Sequence, residues 1–350
     1  MTDPVAPPGA PSASPAAAPR VMCIGSAALD VLMEIDAMPP EDGRIAARDG
    51  MLAGGGPAAT AAVALAKLGV PTGLISVVGD DIAGDLILSG LAQAGVRTQW
   101  IRRAAGARSA LSVGLIRPSP GNTRGLVALA PIGTTLGIDA AALEACRAAD
   151  WIHVDHAGWP LVAWLRQQGV RTPVSVDGGN PLTPADLSDT DLYVPGETEL
   201  LRSTGCADVA TALDAAMRRG ARLIVVTRGA AGSSYLGDMD PSTVEADEAI
   251  RTRRSGTGSP AAVQLHQTRV TSPAVDVRST LGAGDVYHGA LLAGLLRGRS
   301  IQDSMAYAST AAALSCRALD GRSAIPADAD VAAALWTASS GPDTGPTTTG

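Results

Sequence analysis

The stretch that decides the fold is STLGAGDVYHGA, residues 279–290. A strand-like run, AVDV at 274–277, precedes it, and the apolar run at 290–296 is typical of a helix. We therefore expect the Gly-Ala-Gly of residues 282–284 to lie where a strand turns into a helix. Backbone N–H groups at a helix N-terminus have no intrahelical partner, and together with the helix dipole they favour a bound anion.

Asp285 follows this turn directly, in the first turn of the expected helix. A carboxylate there can accept the proton of an attacking hydroxyl, while the N–H groups hold the charge of a transferring phosphoryl group. The structural alternative is that the glycines form a tight turn and Asp285 caps a helix. This segment alone does not distinguish a phosphate-binding site from a structural turn. The evidence that distinguishes them has to come from the rest of the chain.

The composition suits one large α/β domain with an appendage, since the chain has 350 residues. Hydrophobic residues make up 46% of it, aromatic residues 3%, and there is no Phe, so the core has to be built from Val, Leu, Ile and Ala. Such a core suits a parallel sheet covered by helices. The net charge of −7 argues against non-specific binding of nucleic acid or of an anionic membrane surface. No apolar run is long enough to span a bilayer.

The cysteines are scattered and form no CxxC pair, which is typical of a reduced, cytoplasmic protein rather than a disulfide framework or a zinc site. They are Cys23, Cys146, Cys206 and Cys316. The four histidines form no HxxxH or HExxH pattern, so we expect no histidine-based metal site.

Alternating strands and helices predict one domain over residues 21–337. We expect disordered tails at 1–20 and 338–350, and a mobile polar insertion at about 238–267. Residues 1–20 show no basic start followed by an apolar run, so they do not match a signal peptide.

Extra strands interrupt this alternation in two places, about 30–50 and about 98–130. The strand-like runs there are residues 31–36, 44–48, 100–101, 110–116 and 126–129. We place both groups in a small sheet beside the main one.

Polar or Gly-rich loops recur after the predicted core strands, at the edge where open α/β sheets bind ligands. Asp30 lies just past the first of these strands. GGGPAAT, residues 54–60, leads into an Ala-rich helix with Pro near its first turn. Its glycines predict either a flexible loop before a close-packed helix or a backbone surface that a polyhydroxy ligand can approach.

Two of these segments, 54–60 and 280–290, resemble the two signatures of the PfkB (ribokinase-like) carbohydrate kinases. Shorter motifs match the family in order and spacing: GDD at 79–81, VTRGAAG at 226–232 and GRSAIP at 321–326. The resemblance covers about residues 21–336. It implies a three-layer α/β/α sandwich with a small β-sheet lid, and transfer of phosphate from ATP, with Mg²⁺, to a sugar hydroxyl.

The resemblance also implies roles for individual residues. Asp285 is the expected general base, and the expected anion hole is formed by the N–H groups of Leu281, Gly282, Ala283 and Gly284. Residues expected to border the nucleotide are Thr227, Gly229, Gly232, Thr280, Ala313, Cys316 and Gly321. Residues expected to face the sugar are Asp30, Gly55, Gly56 and Thr60, with Arg44 reaching in from the lid. Glu199 corresponds to the acidic residue that helps to organise Mg²⁺ and phosphate.

Three positions depart from the family pattern: Thr60 replaces a sugar-binding Asn, Gly196 replaces the Asn of the N-x-x-E motif, and Ser279 replaces an Asp that often opens the second signature. The last departure puts a ribokinase-type monovalent-cation site in doubt. The wording of both signatures is closest to the sulfofructose kinase branch, but the basic and amide groups that bind a sulfonate are not evident near Ala128 and Ala157. The branch therefore suggests a ketose-like acceptor, and the expected substrate is a ketose or ketose derivative that is fructose-, sulfofructose- or ribose-like.

Two alternatives stay open at this point: a nucleoside kinase of the same fold, and a catalytically silent protein that binds sugar or nucleotide. A nicotinamide-dependent oxidoreductase is set aside, because no GxGxxG follows the first strand. The expected partners are a small sugar and ATP, without nucleic acid or membrane, and the resemblance suggests a homodimer formed through the lid.

Overall fold

The computed structural model describes residues 18–118, 123–183, 185–237, 265–270 and 273–339. The predicted tails and insertion lie mostly outside these ranges. Residues 265–267 nevertheless belong to a strand and 338–339 to a helix, so the predicted boundaries there are wrong by a few residues.

The described residues form strands and helices that alternate along much of the chain. In chain order the strands are β1 (Val21–Ile24), β2 (Ala28–Glu34), β3 (Asp49–Gly55), β4 (Thr72–Gly79), β5 (Ile101–Ala104), β6 (Ala110–Arg117), β7 (Thr123–Leu129), β8 (Trp151–Val154), β9 (Val174–Gly178), β10 (Leu192–Pro195), β11 (Leu223–Thr227), β12 (Ser233–Gly237) and β13 (Leu265–Val270). The helices are α1 (Pro57–Lys67), α2 (Ile82–Gln93), α3 (Ala140–Ala148), α4 (Leu161–Gln167), α5 (Glu197–Thr204), α6 (Val209–Arg218), α7 (Ala283–Leu296), α8 (Ile301–Ser315) and α9 (Asp328–Ser339).

The large sheet has the strand order β13-β12-β11-β10-β9-β8-β1-β4-β5. Its strands run parallel from β5 to β11, and β12 and β13 are antiparallel additions at one edge. The carboxyl ends of the parallel strands therefore meet at one edge, where polar loops from different parts of the chain come together.

Side chains alternate between the two faces of this sheet, and each face packs against its own helices. In β1, Val21 and Cys23 pack with α1, α7 and α8, whereas Met22 and Ile24 pack with α3, α4 and α6. Both clusters consist mainly of Val, Leu, Ile and Ala, as the composition requires. The predicted three-layer α/β/α arrangement is therefore confirmed. Within the described residues, no helix is both long enough and apolar enough to cross a membrane.

The second sheet is the predicted lid and has the order β3-β2-β6-β7. β2 pairs antiparallel with β3 and parallel with β6, and β6 and β7 form an antiparallel hairpin. β2 follows β1 and β6 follows β5 along the chain, and residues of the lid and of the carboxyl edge line one cavity, so the lid lies beside that edge.

The predictions for three strands need correction: two of the runs are not strands, and the third is a strand of the large sheet instead of the lid. Residues 44–48 are not a strand, because the chain turns at Pro40–Gly43 and begins to pair with β2 only at Asp49. Residues 101–104 form β5 of the large sheet, parallel to β4, since the connection through α2 returns the chain to that edge. Residues 274–277 are also not a strand, and the N–H groups of Arg278 and Ser279 donate instead to the Cys316 carbonyl at the end of α8.

The helix that carries Asp285 is held in place by close packing against α1. A Cβ atom at Gly289 would lie 2.6 Å from the Ala61 carbonyl oxygen and 2.9 Å from the Ala64 Cβ. The two helices therefore approach more closely than any larger residue would allow.

We predict that Gly289→Ala destabilises the fold by about 1–3 kcal/mol, because the added methyl group overpacks this crossing. Gly90→Ala is the matched control, since a Cβ at this exposed site of α2 would meet no atom within 4 Å. The control should gain about 0.5–1 kcal/mol from its lower unfolded-state entropy. Urea unfolding followed by circular dichroism measures both, and equal effects would contradict the packing argument.

Candidate active site

A cavity of about 720 Å³ lies between the carboxyl edge of the large sheet and the lid. The sequence-predicted residues that line it are Asp30, Gly55, Gly56, Thr60, Gly282, Asp285 and Gly321. The two signatures, more than 200 residues apart in sequence, thus contribute to one cavity. Sequence reasoning missed several further polar lining residues, among them His156 and Asn180. Both follow core strands, β8 and β9, and that position was the available signal.

The turn before α7 depends on Gly282. Its φ is 73°, a left-handed conformation that favours glycine, and a Cβ there would lie 2.8 Å from the Gly321 Cα. Gly321 is restricted in return, because its own Cβ would lie 3.1 Å from both the Gly282 Cα and the Leu281 carbonyl oxygen. The second signature and the turn after α8 are therefore packed backbone to backbone.

The N–H groups of this turn divide into two sets. Leu281 donates to Ser279 Oγ at 3.1 Å and Ala283 donates to the Thr280 carbonyl at 3.3 Å, so two of the four predicted donors are engaged within the turn. The turn N–H groups that have no acceptor among the described residues are those of Gly282, Gly284 and Asp285. Three free donors at a helix N-terminus form a suitable site for a phosphate oxygen.

Asp285 is half-buried in the first turn of α7. Burial raises the pKa of its carboxyl group well above the usual value, and the charges of Asp177, Asp155 and Asp30 raise it further, while Arg322 opposes the shift. An ionised carboxylate whose pKa is raised is a better proton acceptor than an ordinary Asp.

A buried polar cluster lies behind Asp285. Burial raises the pKa of Asp177 to about 6, although the Gly179 N–H donates to its carboxylate at 2.6 Å. His288 Nδ1 lies 3.7 Å from Asp177 Oδ2, and the His153 ring packs edge-on against His288. Burial lowers the pKa of His153 to about 4 and that of His288 to about 3. Because both rings are neutral at pH 7, they do not compensate the charge of Asp177.

Asp155 has the opposite environment, although it is equally buried. Its carboxylate accepts four backbone N–H bonds, from Ser26 (2.8 Å), Ala58 (3.3 Å), Ala157 (2.9 Å) and Gly158 (3.1 Å). These bonds join the end of β1, the start of α1 and the loop after β8. Asp155 therefore holds the floor of the cavity, a role that sequence reasoning missed.

The glycines before α1 allow two charged side chains to pass close to the backbone. A Cβ at Gly54 would collide with the Arg322 guanidinium, and a Cβ at Gly55 would collide with the Asp30 carboxylate. Gly56, with φ at 91°, is the N-cap of α1. The glycine stretch is therefore a closely packed wall of the cavity.

Asp30 lies on β2 and is 9% exposed. Ser112 of the lid donates its hydroxyl to Asp30 Oδ1 at 2.6 Å. Burial raises the pKa of Asp30, and the bond from Ser112 and the charge of Arg322 act in the opposite direction. One lid strand thus supplies the carboxylate and its neighbour orients it.

One ion-pair group and one side-chain hydrogen bond hold the lid against the second signature. Arg278, just before the signature, pairs with Glu34 (2.7 Å) and Asp49 (2.5 Å) on β2 and β3. Arg124 of β7 donates to the Thr280 hydroxyl at 2.6 Å. The predicted nucleotide residue Thr280 is therefore in contact with the lid.

Of the other predicted nucleotide residues, Gly321 lines the cavity, and the rest are not among its described lining residues. Thr227, Gly229 and Gly232 surround the 3₁₀ turn at Gly229–Ala231, where Arg228 pairs with Glu197 at 2.8 Å. Ala313 and Cys316 lie at the end of α8, and the Cys316 carbonyl accepts N–H bonds from Arg278 and Ser279.

Two predicted residues are not brought to the cavity. Glu199 pairs with Arg202 at 2.6 Å and lines a smaller, separate cavity with Tyr193. Arg44 lies on an exposed loop and is not among the described lining residues. Their functional roles stay predictions.

Comparison with known proteins agrees with this geometry. The model of the pfkB family carbohydrate kinases matches residues 18–328. Ribokinase from Arabidopsis thaliana is 26% identical over 85% of this chain and 76% of its own length. An ATP-dependent ribose-1-phosphate kinase from Halopiger xanaduensis is 28% identical over 89% of this chain and 96% of its own length.

Solved structures give the same fold. The structure of Arabidopsis thaliana ribokinase with ribose and ATP has a TM-score of 0.73 at 24% identity, covering 91% of this chain and 99% of that one. A ribokinase from Giardia lamblia has a TM-score of 0.73 at 17% identity, covering 92% and 99%. Together with the family match, these similarities identify the chain as a member of the pfkB family, an ATP-dependent carbohydrate kinase.

Proposed function

We propose that this kinase transfers the γ-phosphate of ATP to a hydroxyl group of a small, neutral sugar, a ketose or a ribose-like sugar, with Asp285 as the general base. One observation carries the proposal. Asp285, the free N–H groups of its turn, and the sugar-facing wall of Asp30 and Thr60 share one cavity. Phosphoryl transfer requires this combination of base, anion site and acceptor pocket.

The charges in the cavity favour a neutral acceptor. Its described lining contains two carboxylates, Asp30 and Asp285, and neither Lys nor Arg. A phosphate or sulfonate on the acceptor would therefore meet negative charge without a matching cation. This argument favours ribose or an unsubstituted ketose over a phosphosugar or a sulfosugar.

The shape of the lining favours a sugar over a nucleoside. Among the described lining residues there is no Phe, Tyr or Trp on which a base could stack. The lining consists mainly of small apolar side chains and glycine backbone, with hydroxyl groups from Ser26, Ser76 and Ser112. These hydroxyls, the exposed backbone and Asp30 can pair with sugar hydroxyls, each of which needs a hydrogen-bond partner when buried.

The proposed reaction transfers the γ-phosphoryl group of ATP directly to the sugar oxygen. The sugar hydroxyl gives its proton to the Asp285 carboxylate while its oxygen bonds to the γ-phosphorus. The bond from that phosphorus to the β–γ bridging oxygen breaks, and ADP leaves with the electron pair. The N–H groups of Gly282, Gly284 and Asp285 stabilise the negative charge during transfer. The lid covers the cavity and excludes water, which would otherwise compete as acceptor.

The donor set fits a magnesium ion that is held mainly by ATP. Among the described residues, no group of three or more His, Cys, Asp or Glu side chains forms a metal site. Mg²⁺ commonly binds substrate phosphates with one or two carboxylates and water. Glu199 would contribute indirectly, as the family resemblance implies, and the ion would neutralise charge on the phosphates.

The proposal includes a cytoplasmic location and a homodimer formed through the lid. All four cysteines are free thiols.

The lid exposes large apolar side chains, including Val127 (75% exposed), Leu52 (58%) and Leu126 (47%). Exposed apolar side chains of this kind suit a protein interface, and sedimentation velocity would measure the association.

Asp285→Asn should lower kcat by roughly 10²–10⁴-fold, because the amide cannot accept the proton. The measurement is ADP release from Mg·ATP against ketoses, aldoses, sulfosugars, phosphosugars and nucleosides. Asp303→Asn is the matched control, since Asp303 occupies the same position in the first turn of α8. Sugar affinity should change little in either variant. More than a few per cent of the wild-type rate in Asp285→Asn would rule out this base.

The kcat/KM of the wild-type enzyme should fall with decreasing pH well above the ordinary Asp pKa of about 3.9. The base must be ionised, and its folded-state pKa is raised. Asp177→Asn should move this acidic limb to lower pH, because Asp177 is the main charge that raises the pKa of Asp285. A limb that stays in place in this variant would contradict the electrostatic assignment.

Gly282→Ala should lower kcat at least tenfold, because the methyl group would push the turn away from Gly321 and misdirect its N–H groups. Gly298→Ala is the control: its φ is 72° and a Cβ there would meet no atom within 4 Å. Both variants carry the left-handed strain of about 1 kcal/mol, but only the control should keep the wild-type rate. Equal rates would show that the turn geometry is not critical.

A further inference from the structure

Arg322 joins the two halves of the active site. The preceding residue, Gly321, packs against the Gly282 turn, while the Arg322 side chain extends to the opposite wall. There Nε donates to the Thr60 hydroxyl at 3.1 Å, and Nη2 donates to the Gly55 carbonyl at 2.6 Å. The side chain is 8% exposed, so both bonds are shielded from water.

The backbone around Arg322 is fixed by two charged residues. The Asp320 carboxylate accepts the N–H groups of Arg322 (3.2 Å) and Ser323 (3.1 Å). Lys67 Nζ, from the end of α1, donates to the Arg322 carbonyl at 2.8 Å. The guanidinium is therefore held in position from its own backbone as well as from its tip.

The guanidinium is a buried charge whose hydrogen-bond acceptors are neutral. Within the described part of the chain, no carboxylate oxygen lies within 4 Å of it. Burial lowers its pKa to about 10, so it stays charged at neutral pH, and Asp30, Asp285 and Asp320 are the carboxylates that favour the charge. A buried charge is costly, and here its effect is on the two carboxylates that line the cavity.

We propose that Arg322 is a positioning residue for the acceptor sugar: its two hydrogen bonds fix Gly55 and Thr60, and its charge favours the ionised forms of Asp30 and Asp285. The inference deepens the proposed function and rests on it. It also gives Thr60 a role of its own, because its hydroxyl accepts the Arg322 Nε–H where the family usually has Asn. Gly54 fits the same account, since any side chain there would collide with the guanidinium.

Kinetics of Arg322→Met and Arg322→Lys separate the two effects. In Arg322→Met, the KM for the sugar should rise at least tenfold, the KM for ATP should stay within about twofold, and the acidic limb of kcat/KM should move to higher pH. Arg322→Lys keeps the charge but cannot make both bonds in the same geometry. It should therefore return the limb toward its wild-type position while the sugar KM stays raised.

Apart from Arg322 itself, the groups that face Asp285 and Asp30 are unchanged in both Arg322 variants. Around Asp285 they are Asp177, Asp155 and Asp30. Around Asp30 they are Ser112 and Asp320. Arg171→Met is the control for loss of one positive charge, because Arg171 lies on the exposed loop before β9. Its kinetics and pH profile should match those of the wild type.

A second measurement does not require turnover. In protein labelled with ¹³C at the Asp carboxyl carbons, the Asp30 signal is assigned by its loss in Asp30→Asn and titrated by NMR. Its midpoint should rise in Arg322→Met and stay near the wild-type value in Arg322→Lys. This titration decides the charge effect even if no sugar is phosphorylated, an outcome that would count against the proposed function alone.

A wild-type sugar KM with an unshifted Asp30 titration in Arg322→Met would overturn the inference. If that variant does not fold, Arg322→Lys and Thr60→Val carry the test. Thr60→Val keeps the charge and removes one of the two bonds. It should raise the sugar KM and leave both the Asp30 midpoint and the acidic limb in place, and a shifted limb would contradict the division of roles.

Discussion

The contact between Gly282 and Gly321 is the constraint on which the rest of the site depends. Two backbone segments touch there with no room for a Cβ on either side. This contact fixes the N-terminus of α7, where three N–H groups are free and Asp285 lies in the first turn. The close crossing of α7 and α1 at Gly289 holds the helix near its middle. The proposed anion site and the proposed base are therefore oriented by packing before any substrate binds.

Several carboxylates lie close together in a partly buried space, where burial and mutual repulsion disfavour their charged forms. Each carboxylate has a different set of hydrogen-bond donors and neighbouring charges. Asp155 has four N–H donors, Asp30 has a hydroxyl donor and a nearby guanidinium, and Asp177 has one N–H donor and neutral histidines. Burial raises the pKa of Asp177 to about 6, because its single N–H donor only partly offsets the loss of water. Burial and the charge of Asp177 together raise the pKa of Asp285 well above its usual value. Pushing neighbouring pKa values apart in this way is how enzymes obtain a carboxylate suited to act as a base.

The fold was largely predictable, because its signals are local. The alternation of apolar strands with helices, the Gly-rich turns and the order of the motifs depend on neighbouring residues, and they predicted the large sheet, the lid and the turn before α7. Residues 101–104 were placed in the wrong sheet because a four-residue strand carries no signal for its partner. Residues 274–277 were predicted to be a strand because apolar and polar residues alternate there. That pattern gives no sign that the N–H groups of the next two residues donate to the end of α8.

Residues that line the cavity were predictable where a family motif names them, and residues that act through distant contacts were not. Arg322 reaches Thr60 across 262 positions of sequence, and Asp155 holds backbone groups of three separate segments. Arg322 lies in the motif at 321–326, but that motif gives no sign of the contact with Thr60, and Asp155 lies in none of the quoted motifs. Glu199 shows the converse, because a motif position predicts a role while the side chain contacts Arg202 away from the main cavity.

The central claim is that one carboxylate and one turn act together on a sugar hydroxyl and the γ-phosphate. The most direct test is a crystal structure of Asp285→Asn with Mg·ATP and the sugar that the wild-type enzyme phosphorylates. The account predicts that one sugar hydroxyl lies within hydrogen-bond distance, about 2.6–3.2 Å, of the side chain at position 285, and that the N–H groups of Gly282 and Gly284 face the γ-phosphate. A sugar bound with no hydroxyl near position 285, or a γ-phosphate away from this turn, would contradict it.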